Sequence, residues 1–104
     1  MKIRLLPEAE RDLEIGSDFY ESQRQQLGKY FVDCLLTDID SLLLYGGIHE
    51  RHFDLFRSMS KRFPFAIYYD LKEGVIEVYA VLDCRQEPGK IESRLKSTQT
   101  KRST

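Results

Sequence analysis

The order of apolar and polar positions divides this chain into a few clear segments. Lys2-Ile3-Arg4-Leu5-Leu6 alternates and predicts a strand. Pro7 then stands where a first helical position would fall, and Glu8 and Glu10 favour a helix N-terminus. From Glu8 to about Gln25, Ala9, Leu13, Gly16 and Tyr20 recur at helical steps, with Ile15 and Phe19 widening the stripe. This is an amphipathic helix, weakly interrupted by Gly16, and Gly28 marks its end or the turn after it. A second helix is predicted from about Lys29 to Tyr45. Phe31, Leu35, Ile39 and Leu42 form its apolar face, Cys34, Leu36 and Leu43 flank it, and Asp33, Asp38 and Asp40 lie mostly off it. Gly46-Gly47 stops it. Two helices with so short a link pack as an antiparallel hairpin.

After the glycines the period changes. Phe53–Ser60 is mixed, whereas Phe65-Ala66-Ile67-Tyr68-Tyr69 is aromatic and β-branched and predicts a strand. Lys72-Glu73-Gly74 is a hairpin turn, and Val75–Leu82 is a strand apolar on nearly both faces, hence central in its sheet. Lys90–Leu95 suggests a short helix. Ser97–Thr104 has no apolar residue and reads as a frayed tail. The order β-α-α-β-β-β defines an α+β fold, a helical hairpin on one face of a mostly antiparallel sheet. The expected organisation is one domain over residues 1–95 and a flexible polar tail over 96–104.

The full length of 104 residues is consistent with one domain, and 41% apolar with 32% charged residues is ordinary for a globular protein. No apolar stretch approaches a membrane span or a signal peptide, so a cytoplasmic protein without membrane contact is expected. Cys34 and Cys84 are too few for a disulfide framework and are expected as free thiols.

Sixteen Lys+Arg against seventeen Asp+Glu give a net charge of −1, which excludes a protein that coats nucleic acid by charge alone. By position the charge is uneven. Residues 8–21 hold six acids and one base, whereas residues 85–104 hold six bases and two acids. Arg51, Arg57, Lys61 and Arg62 add to the basic half. A solvated acidic helix face with a basic tail accounts for this. A sharper reading is a basic concave face, formed by the sheet and the C-terminal region, that receives phosphates or an acidic peptide.

Candidate chemistry is sparse. His49 and His52 are three apart, with no metal-ligand spacing around them, and no glycine-rich phosphate loop follows Gly46-Gly47. No cofactor or metal is expected. A metal-free ribonuclease needs a base, an acid and cations for the phosphorane charge. His49 or His52 can supply the base, and Arg57, Lys61, Arg62 and Arg85 the cations.

Two stretches carry a resemblance. Leu5–Phe31 (LLPEAERDLEIGSDFYESQRQQLGKYF) resembles the opening of small bacterial toxins of the RelE/ParE superfamily, and Arg62–Pro88 (RFPFAIYYDLKEGVIEVYAVLDCRQEP) resembles their later strands. The shared features are Pro7-Glu8-Ala9, the Phe19-Tyr20 pair, Leu27-Gly28, the strand Phe63-Pro64-Phe65-x-Ile67-Tyr68-Tyr69, and Val78-x-Ala80-Val81-Leu82-x-x-Arg85 with Pro88 after it.

The resemblance implies the toxin of a type II toxin–antitoxin system, neutralised by a cognate antitoxin. RelE-like members cut mRNA on the ribosome; ParE-like members, the plasmid-stabilisation branch, inhibit DNA gyrase. RelE-like nucleases usually carry an Arg where this chain has Ala66, and a Tyr near the position of Ile91, while Arg85 matches. The resemblance therefore points to the ParE-like branch, whose members are not nucleases. The alternatives are a ribosome-dependent endoribonuclease using His49, His52 and Arg85, or a non-toxic remnant that binds only its antitoxin. Arg57, Lys61, Arg62 and Arg85 are the expected contacts to target or to an acidic antitoxin segment, in a dimer or a hetero-oligomer with the antitoxin.

Overall fold

The computed structural model describes residues 1–103, and side chains through residue 100. The elements are β1 (Lys2–Leu5), α1 (Pro7–Gln23), α2 (Leu27–Asp40), α3 (Leu42–Tyr45), β2 (Arg51–His52), β3 (Leu55–Met59), β4 (Phe65–Lys72), β5 (Val75–Asp83) and α4 (Pro88–Ser103). The five strands are ordered β1-β5-β4-β3-β2. Among the described residues, only the β1–β5 pair is parallel. The strand apolar on both faces, β5, lies between β1 and β4 as its composition requires.

The helical hairpin covers one face of the sheet. Leu13 and Tyr20 of α1, Phe31, Leu35 and Ile39 of α2 and Leu42 of α3 pack on Ile67, Tyr69, Ile76 and Val78. Burying aromatic and branched side chains of this size contributes about 1.5–3 kcal/mol each. The rings of Tyr20, Phe31, Phe63 and Phe65 meet mostly edge-on or tilted at 4.8–6.2 Å. Gly16 does not interrupt α1. A Cβ there would lie 2.6 Å from the Phe31 ring, so the missing side chain is what lets α2 approach.

Helix α2 begins earlier than its periodicity suggests. Gln26 takes a left-handed φ of 74°. The Glu21 carboxylate then accepts the backbone N–H groups of Gln26 and Gly28, each at 3.0 Å. A side chain of α1 thus caps α2. The predicted second helix is broken at Ser41, whose hydroxyl donates to the Asp38 carbonyl at 2.6 Å. Asp38 is not on a solvated face. It is 7% exposed and accepts from the Ser60 hydroxyl at 2.6 Å and the Lys61 N–H at 3.2 Å, which ties α2 to the β3–β4 loop.

Two of the three β-hairpins turn on two residues with positive φ. Glu73 and Gly74 (51° and 77°) join β4 to β5 as expected. Phe53 and Asp54 (55° and 67°) join β2 to β3 without a glycine, so no turn signal marks β2 in the sequence. The Gln99 side chain of α4 donates to the Phe53 carbonyl at 2.9 Å and holds this turn from outside.

The largest departure from the sequence reading is α4. The predicted helix ends at Leu95, with a frayed tail after it. The helix continues to Ser103, so the stretch from residue 96 is helical, while residue 104 lies outside the described residues. Ile91 and Leu95 pack on Leu55, Tyr68, Ala80 and Leu82, making a second core on the sheet face opposite the hairpin. Thr98 is 1% exposed, with its hydroxyl donating to the Arg94 carbonyl. The face predicted to be a basic concave surface is therefore largely covered, by a helix whose apolar positions are too few to announce themselves. No described helix is long and apolar enough to cross a membrane. Ile15 and Phe19, expected to widen the buried stripe of α1, are 56% and 49% exposed. Leu36 and Leu43, expected beside the apolar face of the second helix, are also exposed.

Candidate functional site

Beside α4, the middle of β3 and β4 sets Arg57 against Tyr68, and the residue after β5, Cys84, meets Met59 at the end of β3, with Arg85 next along the chain. Arg57 faces Tyr68 across the β3–β4 ladder, its charge near the phenol. Burial pushes the Tyr68 phenol above its usual value, and Arg57 opposes that shift. Cys84 donates to the Met59 sulfur at 3.8 Å. Burial also pushes the Cys84 thiol up, against the pull of Arg57. A thiol kept protonated is an inert neighbour rather than a nucleophile.

Arg85 ends β5 and forms a fork with Asp83. Its Nε lies 3.0 Å from one carboxylate oxygen and a terminal nitrogen lies 2.7 Å from the other. The Arg85 N–H adds a third bond to Asp83 at 2.8 Å. These bonds hold the Asp83 carboxyl below the usual carboxylate range and raise the guanidinium further above its own. The charge of Arg85 is thus answered within its own turn. Lys61 and Arg62 lie exposed on the β3–β4 loop, positioned by the bond from the Lys61 N–H to Asp38. Among the described residues, Arg57, Lys61 and Arg62 enter no ion pair.

The two histidines are elsewhere. His49 lies between α3 and β2, with Nδ1 2.5 Å from the Tyr69 hydroxyl, which also accepts the Gly47 N–H at 2.9 Å. Tyr69 packs into the hairpin-side core. Asp83 pairs with Phe65, four residues along β4 from Tyr69. That is about 13 Å of strand. His52 lies on the short edge strand β2, with Nε2 3.5 Å from Glu50. The structure therefore leaves both histidines at the end of the sheet away from Arg85, with Arg57 in between and its N–H bonded to the Glu50 carbonyl at 3.0 Å. No group of three or more His, Cys, Asp or Glu side chains among the described residues could hold a metal ion.

His49 and Gly47 both depend on the Tyr69 hydroxyl. Replacing Tyr69 with Phe preserves the ring and removes this hydroxyl. Urea denaturation is expected to show a loss of about 1–2 kcal/mol, the cost of leaving two partly buried polar groups unpaired.

Sequence reasoning missed Asp12. It sits on the border of the apolar stripe of α1, within the acidic run, and is 7% exposed. Its carboxylate accepts two Arg94 bonds from α4, at 2.6 and 2.8 Å, and the Val81 N–H of β5 at 2.9 Å. One side chain thus joins α1, β5 and α4.

A helical hairpin and a C-terminal helix on opposite faces of a mixed five-stranded sheet define the class, an α+β fold of the RelE/ParE type. The chain shares this fold with a solved chain titled the chromosomal ParDE toxin–antitoxin system from P. aeruginosa. The TM-score is 0.70 and the identity 16%, over 78% of this chain and 92% of that one. No family model matches the sequence, and no curated protein matches it.

Proposed function

We propose that this protein is the ParE-like toxin of a type II toxin–antitoxin pair, that it acts by binding DNA gyrase, and that a cognate antitoxin neutralises it. The fold shared with the ParDE chain supports the toxin–antitoxin setting. One observation carries the choice of binding over RNA cleavage: the guanidinium of Arg85 is already forked onto Asp83. Stabilising a phosphorane needs a cation aimed at the developing charge. Here that cation would first have to leave its carboxylate. The other two nuclease positions point the same way. Ala66 is fully buried, and Ile91 packs in the core beneath α4. The histidines stand a strand's length from Arg85.

In this reading Arg57, Lys61 and Arg62, which enter no ion pair among the described residues, meet carboxylates of the target or the antitoxin. Purified protein is expected to inhibit gyrase supercoiling and to leave ribosome-bound mRNA intact. The triple variant Arg57→Glu/Lys61→Glu/Arg62→Glu is expected to raise the concentration for half-inhibition about tenfold or more. Cleavage of ribosome-bound mRNA, with no effect on gyrase, would reverse the assignment.

A further inference from the structure

The short helix α3 carries an apolar surface that the fold does not cover. Leu42 points into the hairpin-side core and is fully buried. Successive residues of a helix turn by about 100°, so Leu43, Leu44 and Tyr45 fan across its outer half. They are 49%, 81% and 54% exposed, and Ile48, in the turn that follows, is 74% exposed. Leu71 of β4 extends the same surface. A Cβ on Gly47 would lie 3.1 Å from its Cδ1, and the Leu71 side chain is 38% exposed. Exposed apolar side chains standing singly are ordinary, but four large ones between Leu43 and Ile48 form a patch.

Area and charge together say what covers it. At these exposures the five side chains present about 500 Å², near the upper end of what a monomer leaves open. Two such patches face to face remove about 1,000 Å² from water, the area at which a specific interface begins. The stretch from Ser41 to Ile48 contains no charged residue. A partner must therefore offer an apolar face without charge, and a second copy supplies one of equal size. In a twofold contact each patch meets itself, so a charge on it would face its own image and repel. This patch is free of that penalty, and homodimer interfaces are the more apolar class.

We infer that this face joins two copies of the chain in a twofold dimer. Leu44, the most exposed member and the centre of the fan, lies near the axis against its own copy, with Leu43, Tyr45 and Ile48 around it.

Sedimentation equilibrium of the full chain tests this, in a reducing agent so that the partly exposed thiols of Cys34 and Cys84 form no disulfide between copies. The mass is expected to rise from one chain to two between about 1 and about 300 μM, the range of a dimer near the lower limit of interface area. Leu44→Glu and Leu44→Lys are each expected to raise the dissociation constant at least about a hundredfold, since each sets a charge against its own copy. An equimolar mixture of the two variants is expected to recover the dimer, because unlike charges then meet across the axis. A twofold contact centred on residue 44 is what gives that recovery. Leu44 is exposed, so both variants keep the fold, which circular dichroism checks. Ile15→Ser/Phe19→Ser, on exposed apolar residues of α1, is expected to leave the dimer unchanged. A wild-type chain that stays monomeric across the range, a dimer undiminished by Leu44→Glu, equal loss in Ile15→Ser/Phe19→Ser, or a mixture no more associated than its components would overturn the inference. Neither gyrase nor an antitoxin enters the assay, so its outcome is separate from that of the function proposed above.

Discussion

Replacing Arg94 with alanine is expected to lower the free energy of unfolding by about 3–5 kcal/mol, the usual effect of removing one partner from a buried ion pair. Asp12 is 7% exposed and Arg94 covers both of its oxygens. Without the guanidinium, the carboxylate keeps one bond, from the Val81 N–H, and has little access to water. The site also joins three elements, so α4 loses its charged link to α1 as well as its partner's compensation.

The pH dependence gives this prediction a second readout. Burial raises the Asp12 carboxyl above 3.8, with Arg94 and the Val81 N–H opposing the rise. The native state therefore holds this proton more tightly than the unfolded chain. For such a group, stability is greatest below the ordinary value and falls as pH rises through the native one. Removing Arg94 removes a lowering influence, so the native value climbs further. The deficit of Arg94→Ala relative to wild type is therefore expected to narrow as pH is lowered towards about 4. Guanidinium denaturation at several pH values measures it. A deficit that is constant, or that widens in acid, would show that the lost stability comes from packing of the Arg94 stem and not from the carboxylate.

Gly28→Ala is the second large effect, and its sign is opposite to helix propensity. Glycine to alanine inside a helix ordinarily gains about 1 kcal/mol. Here the added Cβ would stand 2.6 Å from the Ser17 carbonyl oxygen and 2.8 Å from the Ser17 hydroxyl. The nearest obstacle is backbone of α1 and has no rotamer to retreat into. It is also next to the Glu21 carboxylate that caps α2, with one oxygen 3.0 Å from the new atom. Relief requires moving the helices apart, which opens the contact between Gly16 and Phe31 at the same time. A net loss of about 2–3 kcal/mol is expected from overpacking of this kind. A thermal melt is sufficient to detect it. An unchanged or raised melting temperature would mean that the hairpin slides without cost.

Much of the architecture is readable along the chain, because periodicity reports local burial. The steps of Ala9, Leu13 and Tyr20, and of Phe31, Leu35 and Ile39, place two helices and their buried faces correctly. The run of β5, apolar from Val75 to Leu82 except for Glu77, identifies an interior strand, and Glu73-Gly74 its hairpin. The second turn, at Phe53-Asp54, is invisible because it is held by Gln99 from a distant helix and not by its own residue types. The length of α4 is hidden for the same reason. Its polar surface resembles a tail, and only Ile91, Leu95 and Thr98 make it a packed element.

The candidate site is less legible than the fold. The sequence nominates Arg57, Lys61, Arg62 and Arg85 as candidate cations, but charge counts carry no pairing. Asp83 stands two residues before Arg85, and only the end of β5 turns it into a bidentate partner. Strand register carries the histidines away from Arg85, though not from Arg57, whose N–H meets the carbonyl of Glu50 between them.

By itself the sequence determined the α+β class, the helical hairpin, the central strand and the separation of acidic and basic segments, since each depends on neighbours a few residues away. Tertiary structure decided which charges are spent. It buried Asp12 and Asp38 from a helix surface that reads as solvated, and it left Ile15 and Phe19 in the open on a stripe that reads as core. The reason is geometric. A helical stripe says which residues share a side, but whether that side meets a sheet, a second helix or water is settled by elements dozens of residues apart. Here α4 settled it for Asp12, through Arg94, and the β3–β4 loop for Asp38.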